Sequence, residues 1–132
     1  MKTILAIAGL ALSLTPALAQ KVVTIDRLVD HVSSVPAIAG KNIDLFVREK
    51  VPEAIHNSPT GKAAAGKVVL FVHGGYSPAK LAFDVEHRDY SWMEYLAKAG
   101  YDVFAMDMTG YGQSGRPMMD DPCNLEPRFQ DQ

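Results

Sequence analysis

The sequence holds a single cysteine, Cys123, so no intrachain disulfide can staple the fold and its stability must come from an ordinary core. Cys123 stands in Asp121-Pro122-Cys123-Asn124, with no second cysteine near it for a metal site and no glycine-flanked turn to make it a nucleophile; it reads as an incidental small residue. An excess of charge is also missing. Thirteen Lys and Arg face 15 Asp and Glu, a formal net charge of -2, which leaves no electrostatic footprint for a nucleic-acid backbone or an anionic lipid surface. The apolar run at residues 4–19 falls short of the roughly 20 residues a spanning helix needs and is broken by Pro16. No internal repeat is visible. What is there is ordinary: 132 residues, 48% apolar and 21% charged, the composition of one globular domain and not of a disordered, collagenous or coiled-coil chain.

The amino terminus carries a different message. Lys2 supplies a short positive region, residues 4–14 are almost unbroken in their apolarity, and Thr15-Pro16 precedes Ala17-Leu18-Ala19, an A-x-A cleavage pattern. The expectation is a signal peptide at residues 1–19, cut after Ala19, and a secreted or periplasmic chain of residues 20–132 with no membrane attachment after cleavage.

Further on, Ile25, Leu28, Val29 and Val32 fall at helical spacing, while the stretch up to Pro36 fits an extended edge equally well. Ala39-Gly40-Lys41-Asn42 is a turn signal, and Ile43, Leu45 and Val47 then alternate with Asp44, Phe46 and Arg48, the period of a half-buried strand. Residues 30–49 therefore read as an antiparallel hairpin. Residues 58–67 carry turn formers and small residues with no periodic face, as in a surface connection. Val68-Val69-Leu70-Phe71-Val72 is apolar on both faces, as expected of an internal parallel strand covered by helices on both sides. Ser91 and Glu94 form a capping box, Gly100 suits the left-handed position after a helix, and Trp92, Leu96 and Ala99 make a stripe between them. With a second apolar strand from Asp102 to Met106, residues 68–108 read as a βαβ unit.

In such a unit, chemistry gathers in the loops beyond the carboxyl ends of the strands. The first of these is His73-Gly74-Gly75-Tyr76, where two glycines permit a sharp turn and leave a backbone N–H uncovered, as an oxyanion hole requires; an ordinary Gly-Gly turn, with His73 merely a strand-end histidine, reads equally well from these residues alone. The second is Asp107-Met108-Thr109-Gly110-Tyr111-Gly112-Gln113-Ser114-Gly115. Gly110, Gly112 and Gly115 satisfy G-x-G-x-x-G, but Arg116-Pro117 and Asp120-Asp121-Pro122 follow where a dinucleotide site needs a helix and then a strand, which argues against a nucleotide cofactor. Ser114 is not a nucleophile elbow, since Arg116 stands where G-x-S-x-G needs its second glycine, and no other serine has both glycines. Asp84, Glu86, His87 and Asp89 cluster in sequence without metal-ligand spacing and read as a solvated loop rather than a metal site, with Asp89 suited to the adjacent helix start.

Together, the strand ending in His73-Gly74-Gly75, the crossover helix and the strand ending in Asp107-x-x-Gly110-x-Gly112-x-Ser114 resemble the amino-terminal part of the α/β-hydrolase superfamily, over residues 30–117. The resemblance implies an α/β fold: an antiparallel hairpin followed by a parallel βαβ unit, with the tail after Pro117 unassigned. It implies that the Gly75 N–H belongs to the oxyanion hole, that His73 and Gly74 shape its loop, and that Tyr76 lines the pocket entrance. Asp107, Gly110, Gly112 and Ser114 match a structural loop that buttresses it. The nucleophile, acid and catalytic histidine of the family come later, in the order Ser, Asp or Glu, His, and His31, His56 and His87 match none of them. The expectation is a truncated secreted hydrolase, inactive as it stands, whose complete parent cleaves an ester-like small molecule without cofactor or metal. The alternative is a non-catalytic exported binding protein that associates through an uncovered sheet edge.

Overall fold

Two strands, β1 (Val22–Val32) and β2 (Asn42–Pro52), run antiparallel in unbroken register from Val22 opposite Pro52 to Val32 opposite Asn42. This computed structural model describes residues 20–116; the leader at 1–19, the tail from 117 and Cys123 lie outside the described residues. The hairpin is thus longer than the 30–49 read from the sequence. The helical spacing of Ile25, Leu28, Val29 and Val32 is incidental, because Leu28, Val29 and Val32 stay exposed and the segment is held instead by its ladder to β2. A 3-10 turn at Pro36–Ile38 and Gly40, with φ at +79°, close the connection, sealed by hydrogen bonds from the Ser33 N–H to the Lys41 carbonyl and from the Gly40 N–H to the Ser33 carbonyl.

A short helix, α1 (Glu53–His56), leads by a surface connection to β3 (Val68–Val72). Two helices, α2 (Ala79–Phe83) and α3 (Trp92–Lys98), then precede β4 (Asp102–Met106). β4 inserts between the hairpin and β3, antiparallel to β2 and parallel to β3, giving the order β1-β2-β4-β3. This is the antiparallel hairpin followed by a parallel unit that the sequence implied, with α2 as an addition.

The register decides which face each residue serves. Val69 and Phe71 of β3 pair with Val103 and Ala105 of β4, and those two pair with Lys50 and Arg48 of β2, so all six share a face. That face receives the helices: Ala79, Met93, Ala97, Val103 and Ala105 form the buried cluster, with Phe71 stacked on Phe83 at 4.6 Å. The stripe expected on α3 is displaced, because Met93 and Ala97 are buried while Trp92 and Ala99 are exposed. The opposite face of β3 is open. Val68, Leu70 and Val72 are 56%, 57% and 51% exposed, and β3 is an edge strand, so the internal position with two covered faces is not what the described residues form.

The stop and start of α3 follow the sequence in part. The Ser91 hydroxyl accepts from the Glu94 N–H at 2.9 Å, but Glu94 turns to Lys98 and Lys50 instead of completing the capping box. Gly100, at φ +91°, ends the helix, with its N–H on the Ala97 carbonyl and that of Tyr101 on the Leu96 carbonyl.

A buried charge cluster ties the helices to the hairpin. Arg48 grips Asp26 through two bonds of 2.8 and 2.7 Å and reaches Asp84 at 2.8 Å, while Lys50 lies 2.9 Å from Asp84. Asp84 also accepts from the Ser91 hydroxyl at 2.5 Å. Asp84 is therefore no solvated loop carboxylate, although its neighbours Glu86, His87 and Asp89 are exposed. Burial opposes its ionisation, but the bonds from Ser91, Lys50 and Arg48 outweigh that and hold its pKa below the ordinary value. Asp102 is the reverse case. Burial, then the charge of Glu49, push its pKa up against the weaker pull of Arg27, and its Oδ1 has no hydrogen-bond partner among the described residues.

Candidate functional site

β3 and β4 run parallel and in register, so the loops that follow them leave the sheet side by side. His73, the first residue after β3, is buried between the two. Its Nε2 accepts from the Met108 N–H at 3.0 Å. That bond needs an unprotonated Nε2, which places the proton on Nδ1, and Nδ1 donates to the Gly74 carbonyl at 2.6 Å. The imidazole lies 4.8 Å from the ring of Tyr111, tilted by 59°, and the Tyr111 hydroxyl donates to the Gly75 carbonyl at 3.2 Å. One loop is thus fastened to the other at three points.

Asp107, the first residue after β4, anchors the second loop. Its N–H continues the ladder to the Phe46 carbonyl, and its buried carboxylate accepts from the Ala79 N–H at 2.7 Å and the Gln113 N–H at 2.9 Å. The start of α2 and the far limb of the loop therefore hang on one side chain. Ser114, also buried, donates its hydroxyl to the Asp107 carbonyl at 2.6 Å and accepts from the Phe46 N–H at 2.8 Å. Gly110 and Gly115 close the loop on itself and on β2, through the Gly110 N–H to the Gly115 carbonyl and the Gly115 N–H to the Asp44 carbonyl. The three glycines of G-x-G-x-x-G belong to this closed loop.

The need for glycine lies in the second loop. A Cβ on Gly112, whose φ is +49°, would fall on the Asp107 carboxylate and 2.8 Å from the Pro78 Cβ, and one on Gly115 would stand 2.8 Å from the Ile43 Cγ2. Gly74 and Gly75 have no left-handed φ, and a Cβ on either would meet nothing closer than the Tyr111 hydroxyl at 3.8 Å from Gly75. The chain does turn here, at Gly75 and Tyr76, but the pair makes that turn without a left-handed φ. They leave the backbone bare: the Gly75 and Tyr76 N–H groups have no acceptor among the described residues. Tyr76 projects fully into solvent.

The sequence motifs therefore meet in space. His73, Gly74 and Gly75 are joined to Asp107, Gly110, Gly112 and Ser114, whereas His31, His56 and His87 sit on exposed positions elsewhere. Tyr111 and Met108 were missed as partners, since they occupy the unspecified positions of D-x-x-G-x-G-x-S; the aromatic between two glycines was the available signal. Among the described residues no three His, Cys, Asp or Glu side chains form a metal site, and no helix is long and apolar enough to cross a membrane.

A mixed sheet with a parallel pair defines an α/β protein, and the two interlocked loops leave the carboxyl end of that pair, where open α/β sheets hold their ligands. Residues 67–130 match the protein family described as the alpha/beta hydrolase fold, and the mixed sheet with its parallel pair agrees with a part of that fold. The match takes in β3, α2, α3 and β4 and continues through tail residues that the sequence motifs left unassigned, while the hairpin precedes it. No curated protein matches the chain.

Proposed function

We propose that this chain is the exported front part of an α/β-hydrolase whose complete form cleaves an ester-like small molecule through a covalent serine intermediate. The observation that carries the reading is the Gly75 N–H, a donor with no acceptor among the described residues, on a loop whose preceding carbonyl is fastened by His73, beside a second loop built on Asp107 and Ser114. A preorganised N–H that meets no internal acceptor is what stabilises a developing oxyanion. Ser114 is structural in this reading, because its hydroxyl already donates to and accepts from the backbone. The sequence holds no G-x-S-x-G elbow, and an oxyanion donor without nucleophile, base and acid retains only residual catalysis. In this reading residues 1–132 do not turn over substrate by themselves, and the complete form draws its elbow and triad from sequence downstream of Gln132. Reading the coding DNA past that codon tests this: an elbow with Ser, Asp or Cys in any frame is expected, and its absence removes the proposal. Ester turnover by the 132-residue chain, abolished by a serine-directed inactivator, would contradict the structural role of Ser114.

A second reading rests on the bare edge of β3. The exposed segment of β1 carries Asp26, Arg27 and Asp30, charges that discourage edge pairing, whereas Val68–Val72 carries none. An exported binding protein that keeps the fold without its chemistry would associate there. Sedimentation separates the two: a stable monomer disfavours association through the edge.

A further inference from the structure

Three consecutive peptide groups follow β3 with two glycines among their residues, and such peptides rotate easily. Rotation matters at an oxyanion site, because a flipped peptide presents a carbonyl oxygen where an N–H should stand, turning attraction into repulsion. All peptide bonds of the described residues are trans, so each N–H points away from the carbonyl of its own peptide. The Gly74 carbonyl is held by His73 and the Gly75 carbonyl by Tyr111, and the rings of these two residues pack together. Both carbonyls converge on one ring pair, and the Gly75 and Tyr76 N–H groups are both turned from it.

We infer that Tyr111 is a positioning residue of this loop: its hydroxyl, on the Gly75 carbonyl at 3.2 Å, locks the Gly75–Tyr76 peptide and presents the Tyr76 N–H as a second donor beside that of Gly75. The inference rests on the oxyanion reading of the loop. Its ring is kept in place independently of the hydroxyl by the packing on His73 and by the Tyr111 N–H, which donates to the Met108 carbonyl at 2.9 Å. Removal of the hydroxyl alone therefore frees one peptide and spares the loop.

The experiment is nitrogen relaxation dispersion on the full chain and its Tyr111→Phe variant. Losing one neutral hydrogen bond raises the flipped population roughly 2- to 13-fold, so exchange broadening is expected at Gly75 and Tyr76 in the variant, with Met108 and Ser114 unchanged. Identical relaxation in both chains overturns the inference. Residual dipolar couplings of the wild-type chain test the same geometry without a substitution, and a Tyr76 N–H coupling averaged toward zero overturns it too. Titration with inorganic phosphate separates the lock from the reading beneath it. Saturable shifts of the Gly75 and Tyr76 amides that weaken in Tyr111→Phe support both. Broadening in the variant with no phosphate shift in either chain sinks the oxyanion reading, and the positioning role with it, while the hydrogen bond stands. Phosphate shifts without broadening sink the role of Tyr111 alone.

Discussion

Replacing Asp107 by asparagine changes no shape and removes one capability. The carboxylate accepts from two backbone N–H groups, of Ala79 and Gln113; an amide has one oxygen, so whichever way it is turned, one N–H meets an NH2 group. The bond to Ala79 is buried and that to Gln113 is half-buried, so the oxygen settles on Ala79 and the Gln113 side of the loop is released. A hydrogen bond to a charged group contributes about 1.5–3 kcal/mol, and a donor left unpaired in a buried place costs about 1–3 kcal/mol. Asp107→Asn should therefore lose about 2–4 kcal/mol, and Asp107→Ala, which strands both donors, more. Against a domain stability of about 5–15 kcal/mol, the asparagine variant stays folded and measurable. Urea unfolding followed by circular dichroism gives the difference, and amide spectra should show the change at Gln113 and Gly112, not along β1. A loss below about 0.5 kcal/mol, within the range of ordinary surface substitutions, would refute the claim that this carboxylate holds both the start of α2 and the far limb of the second loop.

Gly112→Ala should cost about 1–3 kcal/mol from overpacking, with the left-handed φ adding to it, whereas Gly74→Ala, which meets open space, should leave the melting temperature nearly unchanged; comparable losses would contradict the geometry. Asp84 has its folded pKa below the ordinary 3.8, so its contribution is complete above that value and is lost as pH falls through the folded one; Asp84→Asn should be less stable near neutrality and should flatten that acid limb of a pH–stability curve. For Asp102 the sign reverses, because its folded pKa is raised from 3.8: stability is greatest below that value and declines as pH rises through the folded pKa. Asp102→Asn should therefore be more stable than the parent at pH 7 in urea unfolding, and a loss there would show that the carboxylate is held by a partner.

Much of this fold is legible where the signal is local. β3 and β4 announce themselves as short apolar runs, and α3 by Ser91 before it and Gly100 after it. What is not legible depends on distant residues. α2 has no cap of its own, because the acceptor for its first N–H is Asp107, 28 positions later. β1 is held by its ladder to β2 rather than by a buried stripe, so spacing alone left it open between helix and extended edge. Arg48 and Lys50 are charges on the buried face of β2, a pattern that makes sense only once Asp84 is brought beneath them. Trp92 gives the same lesson from the opposite side: hydropathy places it inward on α3, whereas the small and flexible Ala97 and Met93 fit the space over β4. At the site, both motifs are readable as loops. Their fastening is not, since the bonds from Met108 to His73 and from Tyr111 to Gly75 span 35 and 36 positions of sequence.

Two interlocked loops hold a backbone donor that has no acceptor among the described residues, and amide exchange of the full chain reads both features at once. The N–H groups of Phe46, Ala79, Met108 and Gln113, which donate to Ser114, Asp107, His73 and Asp107 respectively, should be protected as a set, while those of Gly75 and Tyr76 exchange at rates close to an unstructured peptide's. Protection at Gly75 would mean that its donor is already used, and rapid exchange across all four anchors would mean that the two loops are not fastened; either result contradicts the account.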